Sequence, residues 1–437
     1  MKRVSRATVL QNIEFVYAAL ALFALTQGPV YRMWSSSASQ VELLPNPSVP
    51  HVYFATFVVV QAPALMLFVR RCDLSWLSQR SNQAFLVFIG WLGLSVTWST
   101  FARHSFPEFI ALVTTSGFGL YLASSFSFRK LWWVIASSMA IGVAVSWISV
   151  MRLWDGAVNF QEDYWIGIYY NRNSLAPVTA IAIIASFALA FHSWFSRQTQ
   201  RPRQLILTFI AAAVLTSYAV IELWNTESQT SPFAMAVAVL VCAAWVVLRT
   251  ACTKIRAFTK LASLSAPVIL ILASIATFFT LRLVGGLQSL PSETTTLNLR
   301  RSLWSLSWSG FLEKPWQGWG WMAAWQTFDF FKQGDWWAVF DTEWSHNGYH
   351  DLLLGGGVLA GATFFIYLWS STRAMSLQPW STSIPRMLLI VFVLAAATQE
   401  SFFIGSHFLW ALLVAALAAG GNERSLVNEQ HASDLST

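Results

Sequence analysis

The sequence predicts an all-α polytopic membrane protein with about twelve transmembrane helices. Three observations carry that prediction. Long apolar runs recur along the whole chain of 437 residues. Only 11% of residues are charged against 56% hydrophobic, and mean hydropathy is +0.52; a soluble domain carries about 25% charged residues. Lys and Arg fall between the apolar runs, never more than two together. That scatter also argues against nucleic acid as a partner, despite a pI near 9.5, because a phosphate backbone needs a clustered basic surface.

Spans of roughly 17 to 25 apolar residues are expected near 10–27, 52–69, 83–98, 108–125, 131–151, 174–192, 204–223, 232–248, 266–284, 350–370, 384–399 and 401–419. The opening MKRVSRATVLQNIEF is basic, then weakly apolar. It lacks a small-residue cleavage site and reads as a retained first helix. With the N-terminus in the cytoplasm, most of the 27 Lys and Arg residues fall on cytoplasmic segments, as the positive-inside rule requires. Residues 1–419 then form a single membrane domain, and 420–437 a polar cytoplasmic tail with both termini inside. Cys72, Cys242 and Cys252 fit no metal or disulfide spacing.

One external loop is exceptional. It runs over about 285–349, between spans nine and ten, and holds a dense set of tryptophans: Trp304, Trp308, Trp316, Trp319, Trp321, Trp325, Trp336, Trp337 and Trp344. A long loop in a compact membrane protein is usually functional. LRRSLWSLSWSGFLEK within it has the character of an interfacial helix. KPWQGWGW follows as a Pro/Gly turn.

EWSHNGYHDLLLGGGVLAG closes that loop and opens the tenth span. On a helix, Glu343, His346 and His350 would share one face. With Asp341 or Asp351 they could hold zinc, but HNGYH is not HExxH and no His/Cys cluster completes the shell. They could also be solvated side chains at a helix start, capped by Asn347 or Ser345. The third reading makes an imidazole a general base for an acceptor hydroxyl. Gly357 and Gly361, four apart, suggest close helix packing. External arginines are few: Arg32, Arg103, Arg152, Arg172, Arg300 and Arg301, with Arg282 at a span end. They either pair with local acids and lipid phosphate or offer a fork to a phosphate or diphosphate.

Together these pieces resemble the O-antigen ligase and polymerase superfamily. YYNRNSLAP, WNTESQTSPFAMA, LRRSLW with KPWQGWG, and SHNGYHDLLLGGGVLAG resemble its motifs in order, over about residues 165–365. The resemblance implies inverting, metal-independent glycosyl transfer with no cofactor. The donor would be a glycan on undecaprenyl diphosphate, the acceptor a glycan or glycolipid hydroxyl, at the external face of a bacterial inner membrane. By position His346 resembles the catalytic histidine, and Arg300 the loop arginine that binds diphosphate. Arg172, Asn173, Arg301, Gln229, Asn347 and Trp319 stand as substrate-binding candidates. Departures are Gln229 where the family has a base, Leu299 where it has Gly, His350 where it has Leu, and Gly355 where an acid is common.

The reading that follows is a polysaccharide polymerase of exopolysaccharide or O-antigen type. A ligase, capping a lipid or other membrane acceptor, is the alternative within the class. A flippase for lipid-linked glycan is the alternative outside it. A transporter should place ionisable residues and broken helices near the midplane, whereas here the unusual residues gather at one external face. A non-catalytic scaffold would leave the large loop unexplained. A chain-length regulator is a further partner the resemblance leaves room for.

Overall fold

The computed structural model describes residues 6–29, 49–72, 74–154, 156–160, 162–255, 261–273, 296–327, 344–403, 405 and 407–418. The described residues are almost entirely helical, as expected of an all-α membrane protein. In order the helices are α1 (Arg6–Leu25), α2 (Val49–Arg71), α3 (Arg80–Ser95), α4 (Ala102–Ser125) and α5 (Phe128–Met151). Next come α6 (Arg172–Phe195), α7 (Pro202–Asn225), α8 (Thr230–Lys254) and the apolar α9 (Leu261–Ala273). The chain continues through α10 (Thr296–Glu313), the single turn α11 (Ala324–Thr327), α12 (Gly348–Met375), α13 (Trp380–Ala396) and α14 (Phe408–Ala418). A two-residue hairpin, β1 (Val158–Asn159) with β2 (Tyr164–Trp165), is antiparallel and sits between α5 and α6.

Among the described residues a helix stands in each expected span; of the ninth, 266–284, only 266–273 are described. Among the described residues, 7 are long and apolar enough to cross a membrane by length and composition: residues 8–25 and the helices α4, α5, α6, α7, α8 and α12. They differ in how much they bury. Helix α6 buries 72% of its most apolar window, α7 only 17% and α8 28%. Exposed Ile206, Leu207, Ile210, Val214 and Val247 give α7 and α8 an apolar outer face, which suits lipid.

Among the described residues of the expected last span, 401–419, Phe408–Ala418 is helical. Eleven residues rise about 16 Å, roughly half the hydrocarbon thickness. Every residue from Phe408 to Leu417 is buried, so α14 packs within the helix bundle. Hydropathy alone does not separate such a helix from a span. Trp410 Nε1 donates to Ser116 Oγ on α4 at 2.8 Å. At its far end, Arg386 Nε and Nη2 of α13 donate to the Ala416 carbonyl at 2.8 and 2.6 Å. A buried guanidinium is thus met by a carbonyl of a neighbouring helix.

Helix α12 is broken at Gly357, with φ 67° and ψ −167°. The break frees backbone groups that would otherwise bond within the helix. The Pro/Gly turn takes them up: Trp319 N donates to Leu354 O at 2.8 Å, Gly320 N to Gly355 O at 3.0 Å, and Val358 N to Pro315 O at 2.8 Å. Trp91 Nε1 of α3 donates to Gly356 O at 2.8 Å. Non-helical backbone inside an apolar segment is tolerated only where protein satisfies it in this way. A Cβ on Gly357 would stand 2.2 Å from Trp316 O. The expected role of the glycines as a helix–helix packing pair is therefore corrected. Gly357 admits a loop, while a Cβ on Gly361 meets only Leu353 of its own helix.

Candidate active site

Three side chains converge on Glu400. Its carboxylate lies in the turn after α13 and is 10% exposed. Arg300 Nη2 of α10 donates to Oε1 at 2.6 Å. Asn173 Nδ2, in the first turn of α6, donates to the same oxygen at 2.9 Å. His346 Nδ1, just before α12, lies 2.8 Å from Oε2. Asn173 is itself held, because Ser228 Oγ, just before α8, donates to its Oδ1 at 2.9 Å. Thr230 Oγ1, the first residue of α8, donates to Gln399 Oε1 at 3.3 Å. The amino ends of α6 and α12 thus place a side chain on this carboxylate, while that of α8 holds Asn173 and the neighbouring Gln399.

The local sequence explains each placement. Asn171 caps α6 by accepting from Ser174 N, and this sends Asn173 inward while Arg172 stacks on Tyr164 of β2, 4.6 Å from its ring centroid. Asn347 caps α12, its Oδ1 accepting from Tyr349 N and His350 N at 3.1 and 3.3 Å. The expectation of a cap at Asn347 or Ser345 holds at Asn347. Ser345 supports it: Asn347 N donates to Ser345 Oγ at 3.1 Å, and Ser345 N donates to Asp351 Oδ1 at 2.9 Å. Gly348 N donates to Ala397 O at 2.8 Å and Glu400 O at 3.2 Å. The start of α12 is thereby docked on the end of α13. His346 adopts φ 51°, a left-handed conformation that His visits more readily than most side chains.

An imidazole whose Nδ1 faces a carboxylate oxygen takes the Nδ1–H tautomer when that oxygen accepts. That tautomer leaves Nε2 to accept a proton. The His346 side chain is 28% exposed, against 13% for Arg300. One guanidinium nitrogen of Arg300 is spent on Glu400. Among the described residues its other N–H groups have no acceptor, and such groups can donate to an oxyanion.

Several expected ligands have different tasks. Both ends of the Asn173 amide are taken by Glu400 and Ser228, so it positions the carboxylate. The Asn347 oxygen is occupied by the cap. Trp319 is buried, its Nε1 donating to Gly310 O at 2.9 Å and its ring face covered by Lys314 Nζ at 3.8 Å; it locks the turn rather than offering a sugar platform. Gln229 is exposed, while its neighbours Ser228 and Thr230 reach the cluster. Arg301 follows Arg300 on α10, but its side chain lies outside the described residues, as do Arg282, Asp341, Glu343, Trp336 and Trp337. Asp351 is spent on Ser345, Trp325 and Ser401. Among the described residues, no three His, Cys, Asp or Glu side chains gather closely enough to hold a metal ion.

Glu400 is absent from the sequence-based set. Its only signal is position: one acid between two long apolar runs, 384–399 and 401–419. A charge in that setting is costly unless paired, and its partners lie far away in sequence.

Residues 214–365 match the O-antigen ligase family. This stretch, about a third of the chain, is similar to that family. The match supports the O-antigen ligase/polymerase superfamily and, with it, membrane glycosyltransferase-like activity of the ligase or polymerase type on lipid-linked glycan and an acceptor. The matched stretch contains Arg300, His346 and the break at Gly357, whereas Asn173 and Glu400 lie outside it. No curated protein matches the chain.

Proposed function

We propose that this protein transfers a glycan from undecaprenyl diphosphate to an acceptor sugar hydroxyl, with inversion and without a metal, as a polysaccharide polymerase. The site would face the external side of a bacterial inner membrane, with both termini in the cytoplasm. The observation that carries this reading is Glu400 tying a guanidinium to an imidazole, Arg300 on Oε1 and His346 on Oε2. Acid–base and anion-binding groups are thus held within one carboxylate's width.

The acceptor hydroxyl gives its proton to His346 Nε2 as its oxygen attacks the anomeric carbon. The bond from that carbon to the diphosphate oxygen breaks, and undecaprenyl diphosphate leaves with the electron pair. Attack opposite the leaving group inverts the anomeric centre. Negative charge builds on the diphosphate, where the remaining Arg300 donors and the amino ends of α6, α8 and α12 lie nearby. Glu400 holds the base in its working tautomer and balances the imidazolium that forms. Because Arg300 is already paired, the helix ends and Arg172 beside Asn173 are the further sources of positive potential.

The test incubates purified protein with a lipid-linked repeat unit and resolves products by length. A ladder is expected. A single transfer to a second acceptor would instead identify a ligase. Donor that remains intact with every acceptor overturns the transfer itself.

A further inference from the structure

Helix α10 and the start of α12 present a second pair of groups one turn beyond the charged cluster. Trp304 and Trp308 follow Arg300 at spacings of four and eight, so all three share a face of α10. His350 follows His346 by four. The His350 ring lies 6.3 Å from Trp304 and 6.4 Å from Trp308, centroid to centroid. Trp304 Nε1 and His350 Nδ1 are both buried and have no hydrogen-bond partner among the described residues. Trp308 is 49% exposed, so part of its indole remains open beside them.

Two buried polar atoms without partners are costly in an apolar setting. Their chemistries are complementary to one kind of group. An indole N–H only donates, and an imidazole nitrogen donates or accepts with tautomer. A sugar hydroxyl accepts from the first and serves the second in either sense. The indole of Trp308 supplies an apolar face for the C–H side of a pyranose. The offset from Arg300 to Trp304 is one helical turn, about 5.4 Å, close to the width of one sugar ring.

We propose that Trp304 and His350 form a hydroxyl-recognising subsite, with Trp308 as its apolar wall, that selects which pyranose sits beside the reacting centre. This rests on the glycosyl-transfer reading above and deepens it. The ligand chemistry is a pyranose with a free hydroxyl, contributed by either the donor or the acceptor glycan. A substrate lacking that hydroxyl leaves both buried atoms unpaired in the complex, and this is how such a site discriminates.

The experiment measures transfer by the purified full-length protein, using a lipid-linked repeat unit as donor and the same repeat unit as acceptor. Deoxy analogues are then substituted one position at a time, in the donor arm and separately in the acceptor arm. His350→Leu and Trp304→Phe should raise KM for one arm about 10- to 100-fold with kcat largely kept. One deoxy position in that arm should cost wild type a similar factor and cost the variants nothing more. His350→Asn, whose amide nitrogen falls near the imidazole Nδ1 position, should recover much of the loss. Wild-type turnover combined with variants that discriminate every deoxy analogue as wild type does would overturn the subsite and leave glycosyl transfer standing. Wild type that transfers nothing from any lipid-linked glycan would overturn both.

Discussion

His346 Nδ1 lies 2.8 Å from Glu400 Oε2, across 54 residues of sequence. The contact joins a helix start to the turn after another helix, and it orients the ring that faces the open side of the cluster. Glu400→Gln should therefore reduce kcat about 100-fold or more while protein yield stays normal. The shape survives, but the charge that fixes the tautomer does not. Nitrogen NMR on histidine-labelled protein distinguishes this from a merely structural loss. One Nδ1-protonated form is expected for His346 in wild type and a mixture in the variant. An unchanged tautomer with unchanged kcat would remove Glu400 from the mechanism.

Removal of the ring itself is the sharper test of the base. His346→Ala should abolish glycan transfer at normal protein level, a loss of about 100- to 10,000-fold. Full chain extension by this variant in cells would eliminate the base role.

Arg300→Lys separates a fork from a point charge. Arg300 has to bond Glu400 through one nitrogen and still present donors to an oxyanion, and a lysine cannot do both in one geometry. Activity should fall at least about 10-fold, mostly in kcat/KM. Turnover equal to wild type would take Arg300 out of the site.

The glycines can be set against each other. Gly357 holds a conformation open essentially to glycine alone, so Gly357→Ala costs about 1–3 kcal/mol from the backbone. The Cβ clash with Trp316 O adds to that cost. Its detergent melting temperature should drop well below wild type. Gly361→Ala meets only a flexible leucine of its own helix and should be neutral or stabilising by up to about 1 kcal/mol. Equal destabilisation by the two would restore the packing-pair reading.

A metal-free reaction predicts that exhaustive chelation leaves the initial rate unchanged. Loss of activity that zinc restores would revive the metal reading of His346 and His350, through side chains that approach only on substrate binding.

Much of the fold was legible because each apolar run names its own helix. The limits of that signal appear at α14, where a fully buried helix has the same hydropathy as a lipid-facing one. The motif residues were legible in part. His346 and Arg300 carry a resemblance in order and spacing. Their common partner carries none, because Glu400 follows α13 and reaches them only through the docking of Gly348 on Ala397 and Glu400. Trp319 and Trp304 show the same limit. Both are tryptophans of one loop, yet one is locked against Gly310 and Lys314 while the other keeps an unpaired N–H beside His350. Composition cannot sort them, because the difference lies in what packs on each ring.

The sequence by itself determined the membrane class, the order of the helices and the motifs at 172–173, 228–230, 300 and 346. Apolar run length and local motif spacing are properties of contiguous residues. Only the tertiary structure decided that Asn173, Arg300 and His346 meet on one carboxylate and that Gly357 opens a helix for a loop. It also decided that the tryptophans divide into locks and open faces. Each of these depends on distant backbone satisfying buried polar groups, and no local pattern encodes that requirement.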